Sequence, residues 1–337
     1  MKSVSIVIPS RNEEKYIARC LDSIIENSYP KEFLTVLVCD GNSDDKTPDI
    51  IASYAEQYPY IKYLKNEKQT TPFALNLGIQ FNQSDVAIIL GAHSFIAPNY
   101  IEQCVYHLEK DDSVGCVGGF IENIYDNEES RIIGFAMSQS FGVGSAYFRT
   151  GGKEGYVDTV SFGAYRREVF EKIGYFDDAL VRNQDDEFNF RVTQAGYNIL
   201  LTKDIKSYYT VRASFKKLFK QYYQYGYWKV YVNTIHKQIT TYRQLVPFLF
   251  VIFLFGGLAL SCCSCIIGIA YLSIILIYLM TGLVISFKSG MNLLSKLKVV
   301  YAFINLHLSY GLGFAHGIYR FVIRKSSPDS KMERLTR

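Results

Sequence analysis

The sequence predicts an α/β protein whose mostly parallel sheet is followed by C-terminal membrane helices. Two observations predict the sheet: short apolar strands alternate with helical stretches in the first hundred residues, and polar turns follow the strands. Near-continuous apolar strands in such an alternation are typical of a parallel, doubly wound sheet. A third observation predicts the membrane part, because no charged residue occurs from Leu245 to Phe287.

Each predicted element has its own signal in the N-terminal part. The β-branched run VSIVI is broken at once by Pro9, so it is expected to be a first strand and not a signal peptide. Short apolar runs and helical spacing then predict this order: strand Val4–Ile8, a helix through Leu21 and Ile24, strand Leu34–Cys39, a helix with Ile50 and Tyr54, helix Ala74–Phe81 and strand Val86–Leu90.

The middle of the chain has weaker patterns. From Asn123 to Asp158 the periodicity fades and Gly-rich pieces appear, which predicts a long flexible loop with a functional role. Its part from Phe141 to Tyr156 is expected to close over the substrates. Regular structure is predicted to resume with FGAYRREVFEKIGYF, and a strand-like YFDDALVR precedes an amphipathic helix with Phe188 and Val192.

The uncharged stretch Leu245–Phe287 predicts a membrane hairpin. It is about twice the ~20 residues that cross a bilayer, so two helices are expected, with a turn near residues 261–264. The predicted domains are therefore residues 1–240, a membrane region 241–323 and a basic tail 324–337.

A third apolar segment, Val299–Val322, is less uniform because it contains His307, His316 and Arg320. If it spans the bilayer, the basic tail ends up outside, against the tendency of cationic segments to stay in the cytoplasm. An interfacial or re-entrant helix would keep the tail inside. The sequence is compatible with both arrangements.

The positive charge of the chain is concentrated just before the membrane region. The formal net charge is only +4, which gives no reason to expect a nucleic acid partner. Cations beside an apolar segment mark its cytoplasmic side and attract anionic lipids, and they could also meet a lipid diphosphate. In the stretch from Lys203 to Arg243, the basic residues that follow Lys203 are Lys206, Arg212, Lys216, Lys217, Lys220, Lys229, Lys237 and Arg243.

Polar residues that follow the predicted strands are the first candidates for a functional site, because ligands of such sheets bind at the carboxyl ends of strands. Asp40 ends the second strand and could accept hydrogen bonds from a base or a ribose. The alternative is a purely structural turn in which Asp44 or Asp45 caps the next helix. His93, after a later strand, is a candidate ligand of a divalent cation or, alternatively, a structural histidine.

An acidic cluster precedes the amphipathic helix. Acidic residues stabilise a helix N-terminus through the helix dipole, which would explain them without catalysis. A carboxylate at such a position could equally deprotonate a sugar hydroxyl as a general base. The members of the cluster are Asp177, Asp178, Asp185, Asp186 and Glu187.

Taken in order, these segments resemble the family 2 glycosyltransferases. The segments that carry the resemblance are VSIVIPSRNEEKYIARCLDSI, VCDGNSDDKT, ILGAHSFIAP, FGAYRREVFEKIGYFDD and NQDDEFNFRV. More narrowly, TTPFALNLGI, VDTVSFGAYRREVF and HLSYGLGFAHG resemble the succinoglycan-type glucosyltransferases of bacterial exopolysaccharide assembly. The similarity extends from about Val4 to Tyr227.

The resemblance implies a nucleotide-sugar-binding GT-A fold, an inverting hexosyltransferase and a divalent cation, Mn²⁺ or Mg²⁺, as cofactor. It implies that Asp40 contacts the nucleobase of the donor, that His93 binds the metal as the last residue of a DxD-like motif, and that Asp185 is the catalytic base. The further implied site residues are Pro9, Glu13 and Ala92 for the donor, and Gln184, Arg166 and Trp228 for the acceptor or a loop.

The chain departs from the family pattern at three points. Gly91 replaces the first acid of the DxD-like motif, and Gln184 replaces the glutamate that precedes the catalytic aspartate. The Gln-x-x-Arg-Trp motif of processive synthases is absent from the sequence, although Trp228 occurs in QYGYW. This absence argues against a polysaccharide synthase that extrudes its own product.

We therefore expect transfer of a hexose from a nucleotide sugar, with a UDP-sugar as the expected donor, to a polyprenyl-diphosphate-linked glycan. The expected location is the inner (plasma) membrane with the catalytic domain in the cytoplasm, since the seven cysteines lack disulfide or metal spacing. Two alternatives stay open. One is transfer to a polyprenyl monophosphate, and the other is a non-catalytic scaffold of a polysaccharide-assembly complex, which Gly91 and Gln184 would explain.

Overall fold

In the computed structural model, which describes residues 1–211, 214–329 and 332, the chain divides into two units. The first contains Met1–Ile124 and Tyr147–Thr210, and the second contains Tyr125–Ala146 and Val211–Arg337. The division after Thr210 differs from the predicted boundary at residue 240. The reason is that the long helix Phe215–His236 packs within the second unit.

The strands and α-helices of the described residues are, in chain order, β1 (Val4–Ser10), α1 (Ile17–Ile25), β2 (Leu34–Asp40), α2 (Thr47–Gln57), β3 (Ile61–Lys65), α3 (Thr71–Phe81), β4 (Val86–Ile89), β5 (Ser94–Ile96), α4 (Tyr100–Lys110), β6 (Val114–Ile124), α5 (Glu128–Met137), α6 (Ser140–Val143), α7 (Tyr147–Thr150), β7 (Gly155–Val157), β8 (Ser161–Arg166), α8 (Arg167–Ile173), α9 (Gln184–Gln194), β9 (Asn198–Thr210), α10 (Phe215–His236), α11 (Val246–Ser261), α12 (Cys265–Phe287) and α13 (Leu293–Gly317).

All the strands belong to the first unit and form one mixed sheet in the order β3-β2-β1-β4-β8-β6-β9-β5, with β7 also paired to β9. The strands β3, β2, β1 and β4 are parallel, whereas β8 is antiparallel to both of its neighbours. The predicted α/β class is confirmed, with parallel pairing in the N-terminal half of the sheet. Because Ile88 of β4 pairs with Ala164 of β8, β8 begins at the edge where β4 ends.

The sheet buries both of its faces, which explains the near-continuous apolar strands. Ile6 and Ile8 of β1 belong to one core cluster, and Val7 between them belongs to the other. Successive side chains of a strand point to opposite faces, so a strand covered by helices on both sides needs apolar residues at every position. The apolar face of α1, with Leu21 and Ile24, packs in the first cluster.

The predicted long loop between Asn123 and Asp158 was wrong. Asn127 caps α5 through a reciprocal pair of hydrogen bonds with Ser130, and α5 buries Ile132 and Ile133. The short elements α6, α7 and β7 occupy much of the remainder. The sequence also missed β3 and β5, and the strand-like YFDDALVR (175–182) contains no strand.

The two helices of the predicted membrane hairpin are present as α11 and α12, which are separated by residues 262–264, and their place in a membrane stays a prediction. Among the described residues, two helices are long and apolar enough to cross a membrane, Tyr242–Ser261 and Cys265–Phe287. Only 6% of the apolar window of each is buried. So large an exposed apolar surface is unusual for a protein in water and is expected where lipid covers it.

The third apolar segment forms α13 and a π-helical turn, Ile318–Ile323. Its histidines are hydrogen bonded inside the second unit: His307 Nδ1 lies 2.7 Å from the Tyr278 hydroxyl, and His316 Nδ1 lies 3.0 Å from the Tyr223 hydroxyl. These bonds explain why polar residues interrupt the apolar pattern. Whether α13 spans a bilayer stays a prediction. Half of the basic tail 324–337, namely residues 330, 331 and 333–337, lies outside the described residues, as does Arg212.

Glycines allow α13 to approach α10 closely. A Cβ atom added to Gly313 would lie 1.9 Å from the carbonyl oxygen of Tyr223 in α10. In the reverse direction, a Cβ atom added to Gly226 would lie 2.0 Å from the carbonyl oxygen of Tyr310. The motif HLSYGLGFAHG, which contains Gly313, therefore has a packing role in the second unit.

We predict that Gly313→Ala destabilises the second unit by about 1–3 kcal/mol, the usual range for overpacking, because the new methyl group meets backbone that cannot yield. The measurement is thermal unfolding in detergent. Gly256→Ala in α11 is the matched control, since no atom lies within 4 Å of its added Cβ. Alanine should leave that helix equally or slightly more stable. Equal melting temperatures for the two variants would contradict the packing role.

Candidate active site

The ends of β1 and β2 place Asp40 at the carboxyl edge of the sheet. Ser10 is its partner in the parallel register, and the Gly41 amide donates to the Ser10 carbonyl at 2.8 Å. The buried Asp40 carboxylate accepts the Ser43 hydroxyl at 2.5 Å and the Ser43 amide at 3.1 Å. Asp40 therefore organises its own turn. A carboxylate has about four lone-pair sites, so it can accept a ligand as well.

Tyr63 of β3 is a second group beside Asp40. Its hydroxyl lies 3.5 Å from Asp40 Oδ2. Burial, and next the charge of Asp40, raises the pKa of Tyr63, so the phenol stays protonated and can donate a hydrogen bond at neutral pH. Tyr63 was missed from the sequence because β3 was missed.

Three residues in left-handed backbone conformation lie in the loops that follow β1, β2 and β3. They are Asn12 (φ 55°), Asn42 (φ 57°) and Gln69 (φ 59°), and they follow β1, β2 and β3 in turn. Such conformations cost about 1–3 kcal/mol each outside glycine and accumulate at ligand-binding sites. Among the described residues, the buried hydroxyls of Ser10 and Thr70 also lack hydrogen-bond partners. Each hydroxyl could form a hydrogen bond to a ligand.

Glu13 and His93 come together at the same edge from different loops. Glu13 Oε1 lies 3.4 Å from His93 Nδ1, and the Glu13 side chain is almost fully buried. The Glu13 amide donates to the Thr47 hydroxyl at 2.7 Å, which ties the loop after β1 to the start of α2. His93 lies between β4 and β5, and its ring packs edge-on against Tyr209.

The Glu13–His93 pair fits part of a divalent cation site. It offers one imidazole nitrogen and one carboxylate oxygen, a donor set that suits Mn²⁺. Within the part of the chain that the structure describes, no group of three His, Cys, Asp or Glu residues is arranged to hold a metal. Ions that act on phosphates are commonly held by one or two protein ligands together with substrate oxygens. The pair therefore suits an ion that binds with a diphosphate.

Packing accounts for glycine at position 91. A Cβ atom there would lie 3.3 Å from the Phe162 ring, which is closer than most Cβ contacts, and 3.5 Å from Ser94 Oγ, which is an ordinary contact. Phe162 itself adopts φ 53°, which is a rare conformation for a bulky residue. An acidic side chain at Gly91 would require Phe162 to move.

Asp185 lies in the first turn of α9 and is exposed, and its carboxylate accepts the Asp186 amide at 3.0 Å. One turn later, Asn189 accepts the Tyr165 hydroxyl and donates to Thr159, both at 2.9 Å. Thr159 precedes β8, which begins where β4 ends. Hence the N-terminal half of α9 is held at the carboxyl edge of the sheet. Gln184 precedes Asp185 as the first residue of the helix.

The remaining predicted site residues have structural surroundings. Pro9 pairs with Cys39 inside the sheet, and Ala92 is fully buried in the core, so neither side chain is exposed to a ligand. Arg166 pairs with Val86, the first residue of β4, at the opposite edge of the sheet.

Two of these residues are corrected. The Arg166 guanidinium donates hydrogen bonds to the carbonyls of Leu108, Val114 and Asp111. It therefore lies away from Asp40, Glu13 and His93. Trp228 is fully buried in the second unit, where its indole donates to the Met332 carbonyl at 3.2 Å. A buried ring with a satisfied N–H packs the helix and does not bind an acceptor.

Comparison with known proteins decides the family. The sequence profile described as Glycosyl transferase family 2 matches residues 5–174, about half of the chain. This chain belongs to glycosyl transferase family 2. It is therefore an enzyme of the hexosyltransferase class, and the GT-A-like fold of its first unit agrees with that assignment.

Two curated relatives extend the match of this family 2 enzyme. The dolichyl N-acetyl-alpha-D-glucosaminyl phosphate 3-beta-D-2,3-diacetamido-2,3-dideoxy-beta-D-glucuronosyltransferase of Methanococcus voltae is 33% identical over 234 residues, 67% of this chain and 72% of the relative. The succinoglycan biosynthesis protein ExoA of Rhizobium meliloti is 27% identical over 255 residues, 75% of this chain and 77% of the relative.

A solved structure supports the fold. The mannosyltransferase from Pyrobaculum calidifontis in complex with GDP-Man and Mn²⁺ superposes with a TM-score of 0.63. The match covers 92% of this chain and 87% of that one at 18% identity. At so low an identity the likeness concerns the fold of the family 2 enzyme and not its substrate.

We predict that Asp40→Asn weakens binding of the donor's nucleotide about 10- to 100-fold, because an acceptor bond to a charged group contributes roughly 1.5–3 kcal/mol. Titration calorimetry with nucleoside diphosphates measures the effect. Ser43→Ala is the control, since it removes the turn bond to Asp40 but keeps the carboxylate. If Ser43→Ala weakened binding as much, the role of Asp40 would be that of a turn residue.

Proposed function

We propose that this enzyme is an inverting transferase that moves a hexose from a nucleotide sugar to a lipid-linked saccharide. The observation that carries the proposal is the meeting of Glu13 and His93, 3.4 Å apart, at the sheet edge that also holds Asp40. Asp40 suits the base or ribose of a nucleotide, and the Glu13–His93 pair suits the metal that accompanies a diphosphate.

The names of the relatives support a lipid-linked acceptor. The Methanococcus voltae enzyme acts on a dolichyl-linked sugar phosphate, and the Rhizobium meliloti protein belongs to succinoglycan biosynthesis. Two helices that could cross a membrane would keep this enzyme close to such a lipid. We take a polyprenyl-diphosphate-linked glycan as the acceptor, and a monophosphate as the alternative that the mass of the product distinguishes.

Charges of the second unit support a cytoplasmic orientation. Lys216, Lys217 and Lys220 of α10 are exposed, whereas the buried residues of that helix pack against α13. Cations at this place favour the inner (plasma) membrane with its anionic cytoplasmic leaflet.

Lys229 is different from the other lysines, because it is fully buried and its amine lies 3.3 Å from the Thr241 hydroxyl.

The proposed reaction is a single displacement. Asp185 takes the proton of the acceptor hydroxyl, whose oxygen forms a bond to the anomeric carbon while the bond from that carbon to the diphosphate breaks. Attack from the face opposite the nucleotide inverts the configuration. Asp40 holds the base or ribose of the donor and thereby positions the anomeric carbon. A divalent cation, when held by His93 and Glu13, would neutralise charge on the diphosphate.

We predict that Asp185→Asn lowers transfer about 100- to 10,000-fold with little change in nucleotide binding, since general-base catalysis contributes on that scale. Asp186→Asn is the matched control, because it removes a carboxylate from the same turn. The assay uses membranes, native lipid extract and a panel of labelled UDP- and GDP-sugars. Full activity in Asp185→Asn, or an equal loss in both variants, would contradict the assignment of the base.

The metal role of the Glu13–His93 pair has its own test. We predict that His93→Ala and Glu13→Gln raise the Mn²⁺ concentration for half-maximal transfer by at least about tenfold, because each removes one of two protein ligands. Chelator should abolish transfer, and excess Mn²⁺ should restore it in the variants. Glu14→Gln, a change at the exposed neighbour, should leave the Mn²⁺ requirement unchanged. An unchanged requirement in all three variants would place the metal elsewhere.

A further inference from the structure

Arg149 of α7 lies beside Tyr209, the aromatic ring that contacts His93. The central carbon of its guanidinium is 5.0 Å from the centroid of the Tyr209 ring and 5.4 Å from that of Phe148. The Tyr209 ring in turn meets the His93 ring edge-on, with centroids 5.2 Å apart. The guanidinium and the imidazole therefore contact the same aromatic ring, and cation–π contacts hold the guanidinium in place.

Two polar atoms near Tyr209 are buried without hydrogen bonds in the described part of the chain. Among the described residues, Nη1 of Arg149 has no acceptor, and the hydroxyl of Ser94 has no partner. Ser94 lies directly opposite Tyr209 in the pairing of β5 with β9. A buried donor without an acceptor is energetically unfavourable. A ligand that supplies acceptor oxygens to it would therefore bind with a more favourable free energy.

The charges around His93 define the ligand. The Glu13 carboxylate lies 3.4 Å from His93 Nδ1. The guanidinium of Arg149 and the imidazole of His93 both contact the Tyr209 ring, and Gly91 contributes no acid beside them. The matching ligand is anionic and presents several oxygens, and a guanidinium binds phosphate in this way through two parallel N–H donors.

We propose that Arg149 binds a phosphate group of a substrate beside His93, an inference that rests on the proposed function. The phosphate belongs either to the diphosphate of the nucleotide sugar or to the lipid phosphate of the acceptor. The first source is favoured because His93 lies at the same edge as Asp40. When the bond from the anomeric carbon to the diphosphate breaks, its electron pair stays on the phosphate oxygen, and Arg149 donates hydrogen bonds to that charge.

The test compares Arg149→Gln and Arg149→Lys with Lys153→Gln in the full-length protein in detergent. Lys153 is an exposed cation four residues further along, so its variant matches the change in charge. Calorimetry measures the affinity for UDP and GDP against that for uridine and guanosine. We expect Arg149→Gln to bind UDP and GDP about 10- to 100-fold more weakly and to bind uridine and guanosine as well as the unaltered enzyme does. Lys153→Gln should bind all four compounds as the unaltered enzyme does. Arg149→Lys should lose less, because it keeps the charge without the two parallel donors.

Kinetics with the lipid acceptor separates the two sources of phosphate. Unchanged diphosphate affinity in Arg149→Gln, with a KM for the lipid acceptor raised about tenfold or more, would assign the phosphate to the acceptor and support the binding role. Unchanged affinity and unchanged KM in a folded Arg149→Gln would overturn the inference while the proposed transferase stands. If the unaltered protein neither bound a nucleoside diphosphate nor transferred sugar, both proposals would fall together.

Discussion

The parallel register between β1 and β2 is the constraint on which the site depends. Because the two strands pair without a slip, Ser10 lies beside Asp40, and the turns after both strands leave the sheet at one edge. A shift by one residue would move the Asp40 side chain to the opposite face. The register is held by apolar side chains buried on both faces, such as Ile6 on one and Val7 on the other. The same pairing thus forms the core and positions the site.

Charge around His93 is distributed over several segments of the chain. Glu13 comes from the loop after β1, His93 follows β4, and Arg149 approaches across the Tyr209 ring. Gly91 brings no acid to this cluster, and a Cβ atom at that position would lie 3.3 Å from the Phe162 ring. The glycine thus fits closely against Phe162. The remaining groups of the cluster still suit a diphosphate and its metal.

Several elements could be predicted because their signals are local. The first strands are apolar at every position, and the membrane hairpin lacks charge over its whole length. The strand β3 was missed because its sequence IKYLK alternates with lysines at the edge of the sheet. The helix α5 was missed because the glycines that follow it dominated the pattern, although Asn127 and Ser130 form a capping box at its start. A helix of ten residues is too short to show its period over the window of about 11–18 residues that the pattern needs.

The amino-acid sequence alone predicted the α/β class and the hairpin, and it singled out Asp40, His93 and Asp185 as candidates. It could do so because period, composition and motif order are properties of the chain. Folding decided which of those residues meet. It brought Glu13 to His93, and it placed Arg166 at the opposite edge and Trp228 inside the second unit. It also set Tyr63 beside Asp40 and Arg149 near His93. Hydrogen bonds and charge interactions act over a few ångströms of space, so only strand pairing and helix packing determine which distant residues take part in them.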